Sequence, residues 1–364
     1  MMFSCAPAAG GASRGAVVRK KGRSLVVDIH CHYFNPDVAK KIEHLAPHLH
    51  EVSGKWANEL TQEVNRRQIR DRAAKLSSLE VRLKDMDRMG VDIQAVSPAP
   101  NQTYYWTEPG LGAELARGVN ERIAEIVAKW PDRFVGLGTV PLQDAGLAVK
   151  ELDYCVKKLG LRGIEINPNV NGLDLTDRKL GLERLFAKLE QLGVILFMHP
   201  LGYTQGERLV DHYFNNVIGN PLDTTVAVSH LIFGGVLKRY PGLKVVLPHG
   251  GGYVAHYWAR MDHAWKARED CRTVIDRKPS SYLEKFYFDT ITFDRGMLSH
   301  LVERFGADRV LLGTDYPYDM GVDDPVGFIA GTKLGAADRA RLMGGNAARL
   351  LKIDYNKSTR RRTR

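Results

Sequence analysis

Short apolar, β-branched runs alternate along this chain with longer stretches whose apolar residues return every three or four positions. The first kind reads as buried strands, the second as amphipathic helices that cover them. Strands are expected at Leu25–His32, Asp92–Ser97, Phe134–Val140, Leu161–Asn167, Val194–His199, Lys244–His249, Phe286–Thr290 and Arg309–Thr314. Helices are expected at Leu79–Met89, Gly112–Trp130, Ala145–Leu159, Leu182–Leu192, Leu222–Arg239, Val254–Ala267 and Arg295–Phe305. Gly90, Pro131 and Tyr240-Pro241-Gly242 supply stop signals after three of them.

Strands that alternate with helices, with no hairpin signal between them, imply parallel pairing through helical crossovers. Eight is the number that closes a ring, so the pattern predicts an α/β fold of the (β/α)8 TIM-barrel type over residues 25–351. A doubly wound open sheet is the alternative, but the glycine-rich turn that usually follows its first strand is missing. Tyr33 to Ser78 has many charges and no clean period. It reads as a small insertion, a lid lying over the strand ends.

The formal charge of +10 suggests nucleic acid until it is located. Residues 1–24 carry +5 without an acid and residues 352–364 carry another +5, which leaves the body neutral. Both ends therefore read as basic tails, the first of them disordered, and no basic run interleaved with aromatics argues for a nucleic-acid partner. No apolar run approaches the ~20 residues that span a bilayer, so no membrane role is expected. The four scattered cysteines form no C-x-x-C pair, which fits a reducing, cytoplasmic location.

The chemistry concentrates where strands end. Leu25-Val26-Val27-Asp28-Ile29-His30-Cys31-His32 closes on two histidines that share a face of an extended strand, with Cys31 on the other. A lone His-x-His is common and often structural. Three further apolar runs, however, end in His199, His249 and Asp315, and in a closed barrel all strand C-termini meet on one face. Two histidines from the first strand, one from the fifth and a carboxylate from the eighth make three nitrogens and one oxygen for one divalent ion. Zinc suits that set best, with manganese or iron also compatible. His249, followed by Gly250-Gly251-Gly252, is either a further ligand or a general base. Asp315 either binds metal alone or also relays a proton. The His-Gly-Gly-Gly run also resembles a lipase oxyanion loop, and Gly11-Ala12-Ser13-Arg14-Gly15 is formally a nucleophile-elbow motif. That motif has no preceding strand, so chance explains it.

Asp28-Ile29-His30-Cys31-His32, Met198-His199-Pro200, Pro248-His249-Gly250-Gly251-Gly252 and Gly313-Thr314-Asp315-Tyr316-Pro317 together resemble the amidohydrolase superfamily. More narrowly they resemble its metal-dependent decarboxylases around 2-amino-3-carboxymuconate-6-semialdehyde decarboxylase, a likeness that runs from Val27 to about Leu351. Val81 to Asp87, Arg133 to Thr139 and Gly234 to Leu237 share it. The resemblance implies a distorted (β/α)8 barrel with one ion, usually zinc, on His30, His32, His199 and Asp315, and His249 as the catalytic histidine. It further implies that Arg70 and Arg260 bind substrate carboxylates, the second by reaching the site of the other subunit in a homodimer. Gly163-Ile164-Glu165-Ile166-Asn167 carries no lysine to be carboxylated and bridge two metals, which fits a single ion. Leu201, Asn167-Pro168-Asn169, His230 and Phe233 depart from the aminocarboxymuconate pattern.

The expectation is therefore a metal-dependent, non-oxidative decarboxylase of an aromatic or ring-cleavage carboxylic acid. Metal-dependent hydrolysis of a lactone or amide on the same barrel is the alternative, and a non-catalytic metal-binding scaffold the reading from another class.

Overall fold

The structure, a computed structural model, describes residues 24–354. Apart from the residues at their inner ends, the two basic tails lie outside it. The barrel strands are β1 (Val27–Tyr33), β2 (Ile93–Pro98), β3 (Phe134–Gly136), β4 (Gly163–Ile166), β5 (Ile195–Met198), β6 (Lys244–Leu247), β7 (Tyr287–Asp289) and β8 (Val310–Leu311). All neighbouring barrel strands pair in parallel. Strands β1 to β3 form one sheet and β4 to β8 another.

Backbone bonds close both seams between the two sheets. On one side the Gly138 N–H donates to the Gly163 carbonyl at 3.0 Å and the Glu165 N–H donates to the Gly138 carbonyl at 2.7 Å. On the other the Ile29 N–H donates to Leu312 at 2.9 Å and the His32 N–H to Tyr316 at 2.8 Å. The eight strands thus make a ring, with seams held by single bridges rather than full ladders. Such a ring leaves little room between strands, as Gly163 shows: a Cβ there would sit 2.3 Å from the Ile195 carbonyl oxygen.

Val27, Ile29, Ala95, Leu137, Phe197 and Val246 fill the barrel interior, while a larger apolar layer lies between the strands and their helices. Strand β1 shifts register between Asp28 and Cys31. Within this bulge His30 packs on Phe197 inside the barrel (ring centroids 5.0 Å apart), whereas Cys31 beyond it joins the outer layer. A bulge of this kind re-aims side chains where a barrel meets its site.

Most element positions follow the sequence pattern, and helices Leu79–Met89, Val254–Ala267 and Arg295–Phe305 keep the expected bounds. Three differences have physical causes. The segment expected to lack regular structure holds helices at Pro36–Lys41, Val52–Lys55 and Glu59–Ser77. Only Leu76 is buried in the last of these, so no apolar stripe marks it in the sequence. The helix expected at Leu222–Arg239 is two helices, Asn220–Phe233 and Val236–Arg239, because Gly235 adopts a left-handed φ of 75°. Finally, Asn169–Val170 and Leu173–Asp174 form a small antiparallel hairpin around Asn171-Gly172, a turn signal that the strand count passed over. No helix among the described residues is long and apolar enough to cross a membrane.

Arg82 is fully buried beneath the site. It donates to the Gln94 side chain at 3.1 Å and to the His32 carbonyl, and stacks on Tyr316 at 4.8 Å. Removing one member of such a network strands the others without partners. Arg82→Met should therefore lower stability by about 2–4 kcal/mol, read as a fall in the midpoint of chemical denaturation; an unchanged midpoint would show that the network contributes nothing.

Candidate metal centre

The β1 bulge and the seam between β1 and β8 build the centre together. Asp28 lies at the bulge, fully buried, and one of its oxygens accepts the His30 and Thr314 N–H groups, each at 3.1 Å. The other accepts the Thr314 hydroxyl at 2.7 Å and the Gln94 amide at 3.0 Å. Burial pushes the Asp28 carboxyl up to about 6 against these hydrogen bonds, which favour its charged form. The His30 carbonyl then accepts the Asp315 N–H at 2.8 Å, so the last strand is tied directly to the first.

Donor atoms of His30, His32, His199 and Asp315 all lie within 4.8 Å of one another, and all four residues are buried. The His30 and His32 Nε2 atoms are 3.0 Å apart, and each is 3.3 Å from Asp315 Oδ1. His199 closes the group with its ring centroid 4.6 Å from that of His32 and 4.9 Å from that of His30. Neither ring nitrogen of His199 has a hydrogen-bond partner, nor does Asp315 Oδ1. Three imidazoles and a carboxylate converging on one point, with the His199 nitrogens and Asp315 Oδ1 unpartnered, fit a divalent cation, which would take up those lone pairs.

Mutual charge interactions shift the titration of these groups. Burial opposes a charge on His30, but Asp315 and Asp289 outweigh it and hold this imidazole up at about 10. Burial also opposes ionisation of Asp315, yet His30, His249 and His32 keep its carboxyl well below the usual range. His199 is held well below an ordinary histidine by burial and by its histidine neighbours. Protons and a metal ion therefore compete for the same centre.

His249 stands at the rim. Its Nε2 is 3.6 Å from Asp315 Oδ2, and its side chain keeps 17% of its surface exposed, whereas the His30 and His32 side chains keep none. Both His249 (φ 53°) and Asp315 (φ 56°) adopt left-handed backbone that non-glycine residues seldom take. Gly250, Gly251 and Gly252 continue the left-handed turn, and a Cβ on Gly252 would lie 2.6 Å from the Pro221 carbonyl oxygen.

Other residues at the site were not singled out from the sequence. Asp289 accepts from His30 Nδ1 at 2.7 Å with one oxygen and from the Gly250 and Ile291 N–H groups at 2.9 and 3.0 Å with the other. It fixes which nitrogen His30 offers inward and holds the turn beside His249. Tyr287-Phe288-Asp289 is another strand ending in a carboxylate, so the same strand-end signal pointed to it. Glu165 Oε2 is 3.5 Å from His32 Nδ1, which also donates to the Pro98 carbonyl at 2.9 Å.

The two expected substrate arginines are both exposed in the single subunit. Arg70 is exposed on the helix Glu59–Ser77, and Arg260 is exposed on the helix Val254–Ala267. On the first helix it is Arg72 that is half-buried, hydrogen-bonded to Gln68. The half-buried Tyr213 phenol is pushed up by burial and by Asp319 and Asp315, with the Arg72 charge acting the other way.

Asp289→Ala should weaken metal affinity by about 10–100-fold with the fold retained, as measured by competition against a chromogenic chelator. An affinity equal to that of the parent would remove Asp289 from any role in orienting His30.

Comparison with known proteins agrees with this architecture. A family model described as amidohydrolase matches residues 27–353. The chain is 38% identical over 280 residues to 2-amino-3-carboxymuconate-6-semialdehyde decarboxylase of Dictyostelium discoideum, an alignment covering 76% of this chain and 77% of that one. It is 29% identical over 299 residues to gamma-resorcylate decarboxylase of Polaromonas sp., covering 79% and 90%. The crystal structure of 5-carboxyvanillate decarboxylase from Sphingomonas paucimobilis superimposes with a TM-score of 0.81 at 26% identity, covering 91% of this chain and all of that one. With its barrel, its strand-end histidines and these likenesses, the chain belongs to the amidohydrolase family.

Proposed function

We propose that this protein is a metal-dependent, non-oxidative decarboxylase that releases CO2 from an aromatic or ring-cleavage carboxylic acid. The observation that carries the proposal is the convergence of His30, His32, His199 and Asp315 within 4.8 Å, with His249 at the rim beside them. The relatives above, decarboxylases of acids of this kind, support it. These four residues would hold one divalent ion, for which zinc is the best match by ligand type, with manganese and iron also suited to it. When bound, that ion supplies positive charge that binds a substrate oxygen and stabilises the negative charge built up during carbon–carbon cleavage.

The chain's own residues would manage the proton. Asp315 Oδ2 faces His249 Nε2, and His249 is the partly exposed member of the pair, so a proton can pass from solvent to the buried carboxylate through the imidazole. Delivery of that proton to the carbon bearing the carboxylate makes it tetrahedral. The carbon–carbon bond then breaks, its electron pair returns to the substrate skeleton and CO2 departs. Overall one proton is consumed for each CO2 released.

A carboxylated substrate also needs a cation to hold it, and a planar guanidinium suits that task. Arg70 is exposed while Arg72 on the same helix is half-buried, so Arg72 is a second candidate for the role assigned to Arg70 from the sequence. Arg260 would act from a second copy in a homodimer: its helix also presents Tyr257, 69% exposed, and is preceded by Tyr253, 40% exposed.

Carbon dioxide release from hydroxybenzoates and muconate semialdehydes, set against ring-opened acid from lactones, separates decarboxylation from hydrolysis. CO2 is the expected product, and hydrolysis without CO2 would overturn the proposal. In the decarboxylation assay His249→Ala should keep its metal content and lose about 10²–10⁴-fold in kcat; unchanged turnover would take His249 out of the mechanism. Arg72→Met should raise KM at least tenfold and Arg70→Met less than twofold, a contrast whose reversal would return the carboxylate contact to Arg70 (roughly 1.4 kcal/mol per tenfold change).

A further inference from the structure

A pocket opens beside the metal-ligand strands, bordered by Asn167 at the end of β4, Leu201 just past His199, Trp106, Glu51 with its partner Asn101, and Asp223. Its lining holds two carboxylates and, among the described residues, no lysine or arginine. Asp223 is only 4% exposed, and the one side chain bonded to its carboxylate is Asn169, whose amide nitrogen donates to both oxygens at 3.1 and 3.2 Å. One amide leaves much of a carboxylate's accepting capacity unused. Glu51 is in the same position, with a single donor, Asn101, at 2.9 Å.

The second observation is independent of the acids. Asn167 is 92% buried, and its Oδ1 has no hydrogen-bond partner. An unpartnered buried carbonyl costs free energy unless something donates to it. Acceptors therefore line this pocket from three separate elements, against one unpartnered buried hydroxyl, that of Tyr105. Trp106 and Leu201 supply apolar walls between them, suited to the faces of a ring. Burial and the nearby Asp174, working against the Asn169 hydrogen bonds, push the Asp223 carboxyl up to about 7, as expected of a carboxylate short of donors.

We infer that Asn167 and Asp223 form a substrate subsite that accepts an O–H or N–H group and rejects a second acid group. This deepens the decarboxylase reading and rests on it for the placement of the departing carboxylate at the metal centre. The substrate would then be a ring acid with a hydroxyl or amino group on the side away from that carboxylate. A hydroxyl or amine donating to both acceptors satisfies them, whereas a carboxylate would face Asp223 and Glu51 with no cation to offset the repulsion.

The test uses the metal-loaded protein and four salicylates that differ only para to the carboxylate: 4-hydroxy, 4-amino, 4-methoxy and 4-carboxy. Binding is measured by calorimetry and CO2 release is followed separately. The hydroxy and amino members should bind about tenfold to a hundredfold more tightly than the other two. Asp223→Asn should narrow the gap to the 4-carboxy compound, and Asn167→Leu the gap to the 4-methoxy compound, at unchanged metal content. Equal binding across the four, or no member gaining affinity from its donor, overturns the subsite; this arm needs no variant to fold. Donor preference without CO2 from any member would uphold the subsite and sink the decarboxylase reading instead.

Discussion

The structure depends on how the first strand is joined to the last. A barrel must bring its ends into register, and here a buried carboxylate, Asp28, makes the join by accepting from both sides of the seam and from β2 as well. A buried carboxylate is tolerable only when its oxygens are bonded, so any slip of β8 against β1 would expose that cost at once. The seam thereby fixes His30 and Asp315 relative to one another, although they are far apart in sequence. Arg82 extends the same network outward through Gln94 and the His32 carbonyl. The geometry of the centre is in this sense a by-product of closing the ring.

The same economy appears on the far side of the cluster. Asp289 binds a candidate metal ligand with one oxygen and the turn carrying His249 and Gly250 with the other. A single rigid carboxylate so keeps the candidate ligand and the candidate proton carrier in step. The dry surroundings strengthen each of these contacts, since little water competes with them.

Much of this was legible in the sequence because strand ends in a parallel barrel are forced onto one face, so apolar runs terminating in His30, His32, His199, His249 and Asp315 point to a common place. Residues whose roles depend on local parity or on exposure were harder to read. The bulge in β1 cannot be counted from a run of apolar letters, and the helix bearing Arg70 and Arg72 lacks an apolar stripe from which to tell its inner face. Arg70 and Arg72 differ by roughly half a turn, enough to leave one exposed and the other half-buried. Asn167 stood out only as a strand end and a departure from the family pattern, and Asp223 gave no signal, because it lies on a helix in an unrelated segment.

His249 and Asp315 hold backbone angles that cost an L-residue about 1–2 kcal/mol each, and both belong to the proposed proton path. Glycine would relax that strain at either place while erasing the chemistry. Selection for heat resistance alone would consequently favour sturdier, silent barrels, and under the proposed mechanism these two strained residues trade durability for turnover.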